Sequence, residues 1–184
     1  MNLINSASKY GALTKFFHWT IFLLFLNQFI SATIMTWIEN GAFRGDLYAW
    51  HKAIGLLILF LAIARLTLTK LSRQPDWAEG LQLWEKSSIV FIERGLFIVM
   101  LLMPISGIIM SFTGGHKISF YSLFHIPGLS EPNTLLSAIG WFVHTLTSYS
   151  IIGLVSIHFA FVLRRQIFDK DGYIKRMLPF TSQK

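Results

Sequence analysis

Two histidines, His144 and His158, lie inside one long apolar segment that runs from Trp141 to Arg165. They are fourteen residues apart, which corresponds to about 21 Å along a helix and directs both rings to a similar side of it. An imidazole nitrogen can bind a metal or carry a proton, and such a polar group is costly to bury in lipid without a function. The segment therefore predicts one membrane helix that presents two ligand-capable rings, one near each membrane face.

Two further histidines lie in other apolar runs, His18 near the start of the first and His51 near the start of the second. By depth, His18 is level with His158 and His51 is level with His144; we name these the inner pair and the outer pair. The separation of about 21 Å between the two levels excludes a single four-histidine metal site. Two imidazoles from opposing helices suit the axial positions of a haem iron. The alternative is that each ring is a core residue bonded to neighbouring Ser or Thr hydroxyls.

The composition points to a membrane protein. Of 184 residues, 53% are hydrophobic and only 14% are charged, and the mean hydropathy is +0.54; an ordinary soluble domain carries about 25% charged residues. Four apolar runs reach the length of about 20 residues that spans a bilayer, so the expected fold class is an all-α, integral membrane four-helix bundle. We expect a single domain over residues 1–184, with spans at about residues 16–37, 49–69, 95–115 and 135–163.

The first run is too long for the apolar core of a signal peptide and has no convincing small-residue cleavage site, so we expect it to be retained. The chain has no cysteine, which excludes disulfides, thiolate metal sites and covalent haem attachment through C-x-x-C-H. Any haem would therefore be non-covalent, hence of b type. The net charge of +7 lies beside apolar runs, which favours a membrane surface as partner over nucleic acid.

Orientation follows from the placement of lysine and arginine. Four spans put both termini on the same side as the loop between spans two and three, and that side carries thirteen of the 16 basic residues. Only Arg44, Lys52 and Lys117 fall on the other side. The positive-inside rule then predicts cytoplasmic termini in a multi-pass protein of the bacterial inner membrane.

Two arginines near the predicted cytoplasmic face, Arg65 and Arg165, are candidate contacts for a haem propionate or a quinone head group. Arg65 is fourteen residues from His51 and so lies on a similar helix face; its alternative role is a snorkelling interfacial cation. His116 and His125 lie outside the apolar runs, and we interpret them as loop residues.

The ordered set of these residues resembles the prokaryotic cytochrome b561 family, which includes superoxide oxidases. The resemblance covers essentially the whole chain and depends on Tyr10, His18-Trp19, His51, Gly55, Arg65, Pro104, Gly107, His144, His158 and the RMLP sequence of residues 176–179. It implies a four-helix bundle with two b haems, the inner pair binding one iron and the outer pair the other. It also implies electron transfer across the membrane, often with ubiquinone. The chain departs from the superoxide oxidase pattern at Glu93, Phe97, Arg164 and Arg165, where histidine or tyrosine is often found.

The expected function is an oxidoreductase of superoxide:quinone type, moving electrons between a periplasmic-side donor and membrane ubiquinone. Superoxide is one candidate donor, although the outer basic residues are offset by Glu39, Asp46 and Glu131, so anion steering is not evident; a periplasmic redox protein is another. One alternative is a haem-bearing anchor subunit that relays electrons from a separate dehydrogenase or hydrogenase. A further alternative is a histidine-based proton or metal transporter.

Overall fold

The computed structural model describes residues 2–78, 80–170 and 172–179. Its main elements are four helices, α1 (Ala12–Trp37), α2 (Ala42–Leu71), α3 (Leu83–Thr113) and α4 (Thr134–Arg164). By length and composition, all four could cross a membrane. The prediction of an all-α four-helix membrane bundle is therefore confirmed.

The helices extend beyond the predicted spans, most clearly at the start of α3. The charges Glu93 and Arg94 suggested a span from residue 95, but α3 begins at Leu83. A capping box begins it there, because the backbone N–H of Gln82 donates to Oε2 of Glu85 at 2.9 Å and satisfies a donor that the first turn leaves free. The position of charged residues thus indicates which part of a helix lies in the hydrocarbon, whereas the capping residues determine where the helix begins.

The four helices pack mainly as α1 on α2, α2 on α3 and α3 on α4. The α3–α4 contact is close enough that a Cβ added at Gly140 would lie 2.8 Å from the backbone nitrogen of Met110. Large apolar side chains such as Phe60, Ile98 and Phe142 remain exposed on the outside, where a bilayer would cover them. Across the bundle, His144 of α4 meets His51 of α2 and His158 of α4 meets His18 of α1.

The start of α1 and the last described residues meet at one end of the bundle, here called the terminal end. The side chain of Lys15 donates to the carbonyl oxygen of Leu178 at 2.9 Å, and Nε1 of Trp19 donates to that of Met177 at 2.8 Å. These bonds hold the last described residues across the start of α1. Which side of the membrane this end faces stays a prediction.

The opposite end, the hairpin end, carries a structure that the sequence did not predict. The connection between α3 and α4 forms an antiparallel hairpin of β1 (Ile118–Phe120) and β2 (Phe124–Ile126). Three-residue strands are too short to show the alternation that predicts a strand. Beyond α4 the chain continues as a π-helical turn, Arg165–Asp169, and a 3₁₀ helix, Tyr173–Arg176.

Candidate functional site

The outer pair, His51 on α2 and His144 on α4, forms the candidate site nearer the hairpin end. The two ring centroids are 6.4 Å apart and the ring planes meet at 69°. A metal held by one nitrogen of each ring at about 2.0–2.1 Å would separate the ring centres by about 6.4–6.6 Å, since each centre lies about 1.2 Å behind its nitrogen. The observed separation therefore fits two axial ligands of one iron.

Hydrogen bonds assign the same tautomer to both rings of the outer pair. Nδ1 of His144 lies 2.9 Å from the carbonyl oxygen of Met103, which can only accept, so this nitrogen carries the hydrogen. Nδ1 of His51 lies 3.1 Å from Oγ of Ser31, and that hydroxyl donates its own hydrogen to the carbonyl of Gln28 at 3.0 Å. Both rings therefore keep the Nε2 lone pair free, which is the state that binds a metal.

Helix α3 forms a close-fitting wall beside His144. A Cβ added at Gly107 would lie 3.1 Å from Cε1 and 3.2 Å from Nδ1 of that ring, so the absence of a side chain lets the ring rest against the helix. Oγ of Ser106 lies 3.3 Å from the same Nδ1 and donates to Met103 at 2.7 Å. The ring is thus held in one orientation by α3.

A cavity of about 970 Å³ opens beside the outer pair, at the upper end of the range of about 300–1,000 Å³ found for cofactor sites. One buried polar atom in its wall, Oε1 of Gln28, has no hydrogen-bond partner among the described residues. The wall also includes apolar side chains, Phe25, Leu56, Ile58, Met103 and Pro104, and polar ones, Lys52, His116, Thr134 and Ser137. A largely apolar slot with a polar edge is the environment that a haem with two carboxylates requires.

The inner pair, His18 on α1 and His158 on α4, has the same spacing. Its ring centroids are also 6.4 Å apart, with the planes at 53°. Its surroundings differ, because Nη2 of Arg65 lies 3.4 Å from Nδ1 of His18. A guanidinium only donates, so this contact makes Nδ1 of His18 an acceptor and puts the proton of the neutral ring on Nε2. A metal can bind Nε2 only after the proton moves to Nδ1. This requires the ring to rotate about its Cβ–Cγ bond, or the contact with Arg65 to break.

The two candidate arginines lie in different environments. The guanidinium of Arg65 faces into the bundle, 5.2 Å from the ring centroid of Phe97, so it does not simply snorkel to the head groups. Arg165 is buried at the end of α4, with Nη1 3.2 Å from Oε1 of Glu85, and Nη1 of Arg164 lies 2.6 Å from the same oxygen. The guanidinium of Arg165 therefore already has a carboxylate partner within the chain.

Two phenols lie at the terminal end beside these arginines. Burial raises the pKa of Tyr10, and burial together with Tyr10 and Glu93 raises the pKa of Tyr173 to about 12. The guanidinium of Arg165 lies 5.5 Å from the ring centroid of Tyr173. Both phenols therefore stay protonated at neutral pH and can donate a hydrogen bond.

The other two histidines are not brought into the pairs. His116 lines the outer cavity, whereas His125 is an exposed residue of β2. Within residues 2–78, 80–170 and 172–179, no group of three or more His, Asp or Glu side chains could hold a metal ion. A metal bound by two rings alone needs a cofactor that supplies its remaining ligands, and a porphyrin does so.

Several residues of the site were missed by sequence reasoning. Ser31 and Met103 fix the tautomers of the outer pair, and Glu85 binds the two arginines after His158. Ser31 had a usable signal, since a serine in an apolar run is costly unless it bonds to something. The backbone carbonyl of Met103 had none, because every residue carries one. The sequence-predicted role of the four histidines as iron ligands stays a prediction.

Comparison with known proteins gives a consistent result along nearly the whole chain. Residues 9–180 match the family described as prokaryotic cytochrome b561. Cytochrome b561 homolog 2 of Escherichia coli (strain K12) is 22% identical over 186 residues, covering 99% of this chain and 97% of that protein. Cytochrome b561 homolog 1 of the same organism is 21% identical over 173 residues, covering 94% and 98%.

Proposed function

The chain belongs to the prokaryotic cytochrome b561 family, and from this premise we propose that it is a di-haem electron-transfer protein of the bacterial inner membrane. Membership itself implies a multi-pass bacterial membrane protein that binds b-type haem and transfers electrons across the membrane. The number of haems, their ligands and the substrates are our proposal. The observation that best supports it is the common 6.4 Å ring separation of the two histidine pairs.

Each pair would hold one b haem, His51 with His144 for the outer iron and His18 with His158 for the inner iron. When bound, each haem supplies a centre that takes up and releases one electron. The chain's own residues orient the ligands and exclude water from the apolar slot. Lys52, at the edge of the outer cavity with its amine 3.2 Å from the carbonyl of Lys117, is suited to pair with a haem carboxylate.

The proposed reaction moves electrons from the outer to the inner pair and then to ubiquinone. If superoxide is the donor, two superoxide anions become two molecules of dioxygen, and the two electrons released join two protons to convert one ubiquinone to ubiquinol. Arg65 is our candidate for holding the quinone head group or a propionate of the inner haem. Arg165 is the second candidate, and its bond to Glu85 favours the role of holding the end of α4 in place.

The proposal is tested by reconstituting the purified protein into vesicles that contain ubiquinone and following quinol formation after a pulse of superoxide. We expect one quinol for every two electrons, at a rate that falls in Arg65→Gln while the haem spectrum persists. Lys70→Gln is the matched control, since Lys70 is an exposed cation near the same end of α2. An unchanged rate in Arg65→Gln would refute the role of that residue.

A second candidate, the haem-bearing anchor subunit, is favoured by the exposed tip of the hairpin. Tyr121, Leu123 and Phe124 are 51%, 76% and 44% exposed and would lie on the side predicted to face the periplasm. Such an apolar tip suits contact with another subunit as well as with lipid head groups. Purified protein that has no superoxide or quinol activity of its own, but co-isolates with a periplasmic dehydrogenase, would favour this role.

A further inference from the structure

A second cavity lies on the lipid-facing side of α3 near the terminal end, separate from both histidine pairs. It has a volume of about 560 Å³ and is formed by α3 together with Trp77 from the preceding loop. We name it the α3 groove. Two cations, Lys86 and Arg94, line it together with the apolar residues Phe91 and Ile98.

The two cations of the groove, Lys86 and Arg94, take part in none of the salt bridges found among the described residues. Of the carboxylates beside them in sequence, Glu85 binds the arginines at the end of α4, and Glu93 forms no salt bridge with either cation among the described residues. The α3 groove therefore carries two positive charges with no salt-bridge partner in the described part of the chain, which makes it attractive to an anionic ligand.

Polarity changes along the groove in the direction of the bilayer normal. Lys86 lies near the start of α3, and Ile98 lies twelve residues further on, a rise of about 18 Å. Phe91, which lies between the two cations along the helix axis, is 73% exposed, and Ile98, which lies beyond both, is 63% exposed. Side chains of a helix tilt toward its N-terminus, which favours a guanidinium of Arg94 on the Lys86 side of its own backbone. The part of the groove from Lys86 to Arg94 thus attracts an anion, and the end at Ile98 suits an alkyl chain.

Two features give the groove its shape. Gly95 forms its floor, with Leu154 of α4 directly behind, since a Cβ added at Gly95 would lie 3.2 Å from Cδ1 of Leu154. Trp77 closes the charged end and is 47% exposed. An indole at this level belongs to the head-group zone of a membrane. The charged end of the groove therefore lies at the level of the lipid phosphates. The part lined by Gly95 and Ile98 lies further along α3, toward the hydrocarbon core.

We propose that the α3 groove binds an anionic phospholipid, with its phosphate between Lys86 and Arg94 and an acyl chain that runs past Phe91 to Ile98. Basic pockets on the cytoplasmic side of helix bundles are suited to such head groups. The uncharged head of a quinone would leave both cations unpaired, so an anionic lipid is the better occupant. This site is independent of the haems and goes beyond electron transfer.

The test uses the full-length, haem-loaded protein in nanodiscs of phosphatidylcholine with or without phosphatidylglycerol. Native mass spectrometry counts retained lipids, and thermal unfolding gives the stabilisation by each lipid. We expect phosphatidylglycerol to be preferred by the wild-type protein, and the preference to fall about fivefold for each cation removed in Lys86→Gln and Arg94→Gln. The charge-conserving double variant, Lys86→Arg with Arg94→Lys, should retain the preference for phosphatidylglycerol.

The matched control is Lys70→Gln with Arg73→Gln, which removes two charges near the same end but outside the groove. An equal loss of phosphatidylglycerol in this control would show general surface attraction and overturn the proposal. Inorganic phosphate that stabilises the wild-type protein as well as the lipid does would also overturn it. Displacement of the bound lipid by added ubiquinone would assign the groove to a quinone tail instead. Haem content checks that every variant is folded.

Discussion

The inner and outer histidine pairs have the same ring separation, 6.4 Å, but opposite hydrogen-bonding environments. In the outer pair each Nδ1 donates to an oxygen, from Ser31 or Met103, so both rings present a free Nε2. In the inner pair Arg65 donates to Nδ1 of His18. The packing of the helices thus sets the distance between the two rings of each pair. The residues that contact each ring set its tautomer and the electrostatic potential around it.

The difference has a consequence for electron flow. When His18 releases its contact with Arg65 to bind iron, the charge of Arg65 on α2 still lies close to the inner pair; a nearby cation disfavours the extra positive charge of ferric iron and so favours the reduced state. The outer pair has no cation hydrogen-bonded to either ring in the described part of the chain. We therefore expect the inner haem to have the higher midpoint potential, which makes transfer from the outer to the inner site downhill.

The largest expected effect comes from removing a ligand of one pair. His144→Ala should remove the outer haem and leave the inner haem, so that bound haem falls to half of its wild-type amount per chain. His158→Ala is the matched variant on the same helix and should remove the inner haem only. Haem extraction and redox titration of both proteins measure this. Loss of both haems in both variants, with a folded bundle, would contradict two independent sites.

A smaller effect is expected from the hydroxyl that fixes the tautomer of His51. Ser31→Ala removes the acceptor of its Nδ1 hydrogen, and loss of such a partner typically weakens metal binding by about 10–100-fold. Ser106→Ala is the control, because His144 keeps its 2.9 Å bond to the carbonyl of Met103; we expect a change of less than about threefold there. The rate of haem transfer to apomyoglobin distinguishes them. Equal rates of haem transfer in Ser31→Ala and Ser106→Ala would show that the hydrogen bond between Ser31 and His51 does not contribute to haem binding.

The glycine beside the other outer ring should matter less. Gly107→Ala puts a methyl group 3.1 Å from Cε1 of His144, and such overpacking costs about 1–3 kcal/mol. We expect the outer haem to dissociate about tenfold faster, with the inner haem unchanged. Gly153→Ala on α4 meets no atom within 4 Å and serves as the control. An unaltered outer haem in Gly107→Ala would mean that α3 does not position His144.

The smallest effect, a shift in potential without loss of haem, is expected at Arg65. Arg65→Gln removes the cation beside His18, and the midpoint potential of the inner haem should fall by about 50–100 mV. Lys70→Gln, at an exposed position further along α2, should shift it much less. Spectroelectrochemical titration resolves the two haems. If the potential stays constant or rises, the electrostatic distinction between the two pairs is wrong.

The sequence predicted the parts of this molecule that depend on periodicity and hydropathy. The fourteen-residue spacing of His144 and His158 correctly indicated two levels on one helix face, and the apolar runs identified four helices. The start of α3 was missed because its cap at Gln82 is a local polar motif beyond the apolar run.

The environment of the site was less predictable, because it depends on contacts between residues far apart in the chain. Arg165 and Glu85 are 80 positions apart, and nothing in the local pattern of either residue indicates the other. The bond from His144 to the backbone of Met103 depends on how closely α3 and α4 pack. The sequence thus identifies which side chains can bind a metal or an anion. Their hydrogen-bond and salt-bridge partners, which set their protonation and orientation, are seen only in the packed structure.

The central claim is that each histidine pair binds one b haem, and the amount of haem per chain tests it most directly. The purified wild-type protein, produced with adequate haem, should give a reduced-minus-oxidised spectrum of b type and a pyridine haemochrome value of two haems per chain. A colourless protein, or one that binds a single haem at saturation, would contradict the account.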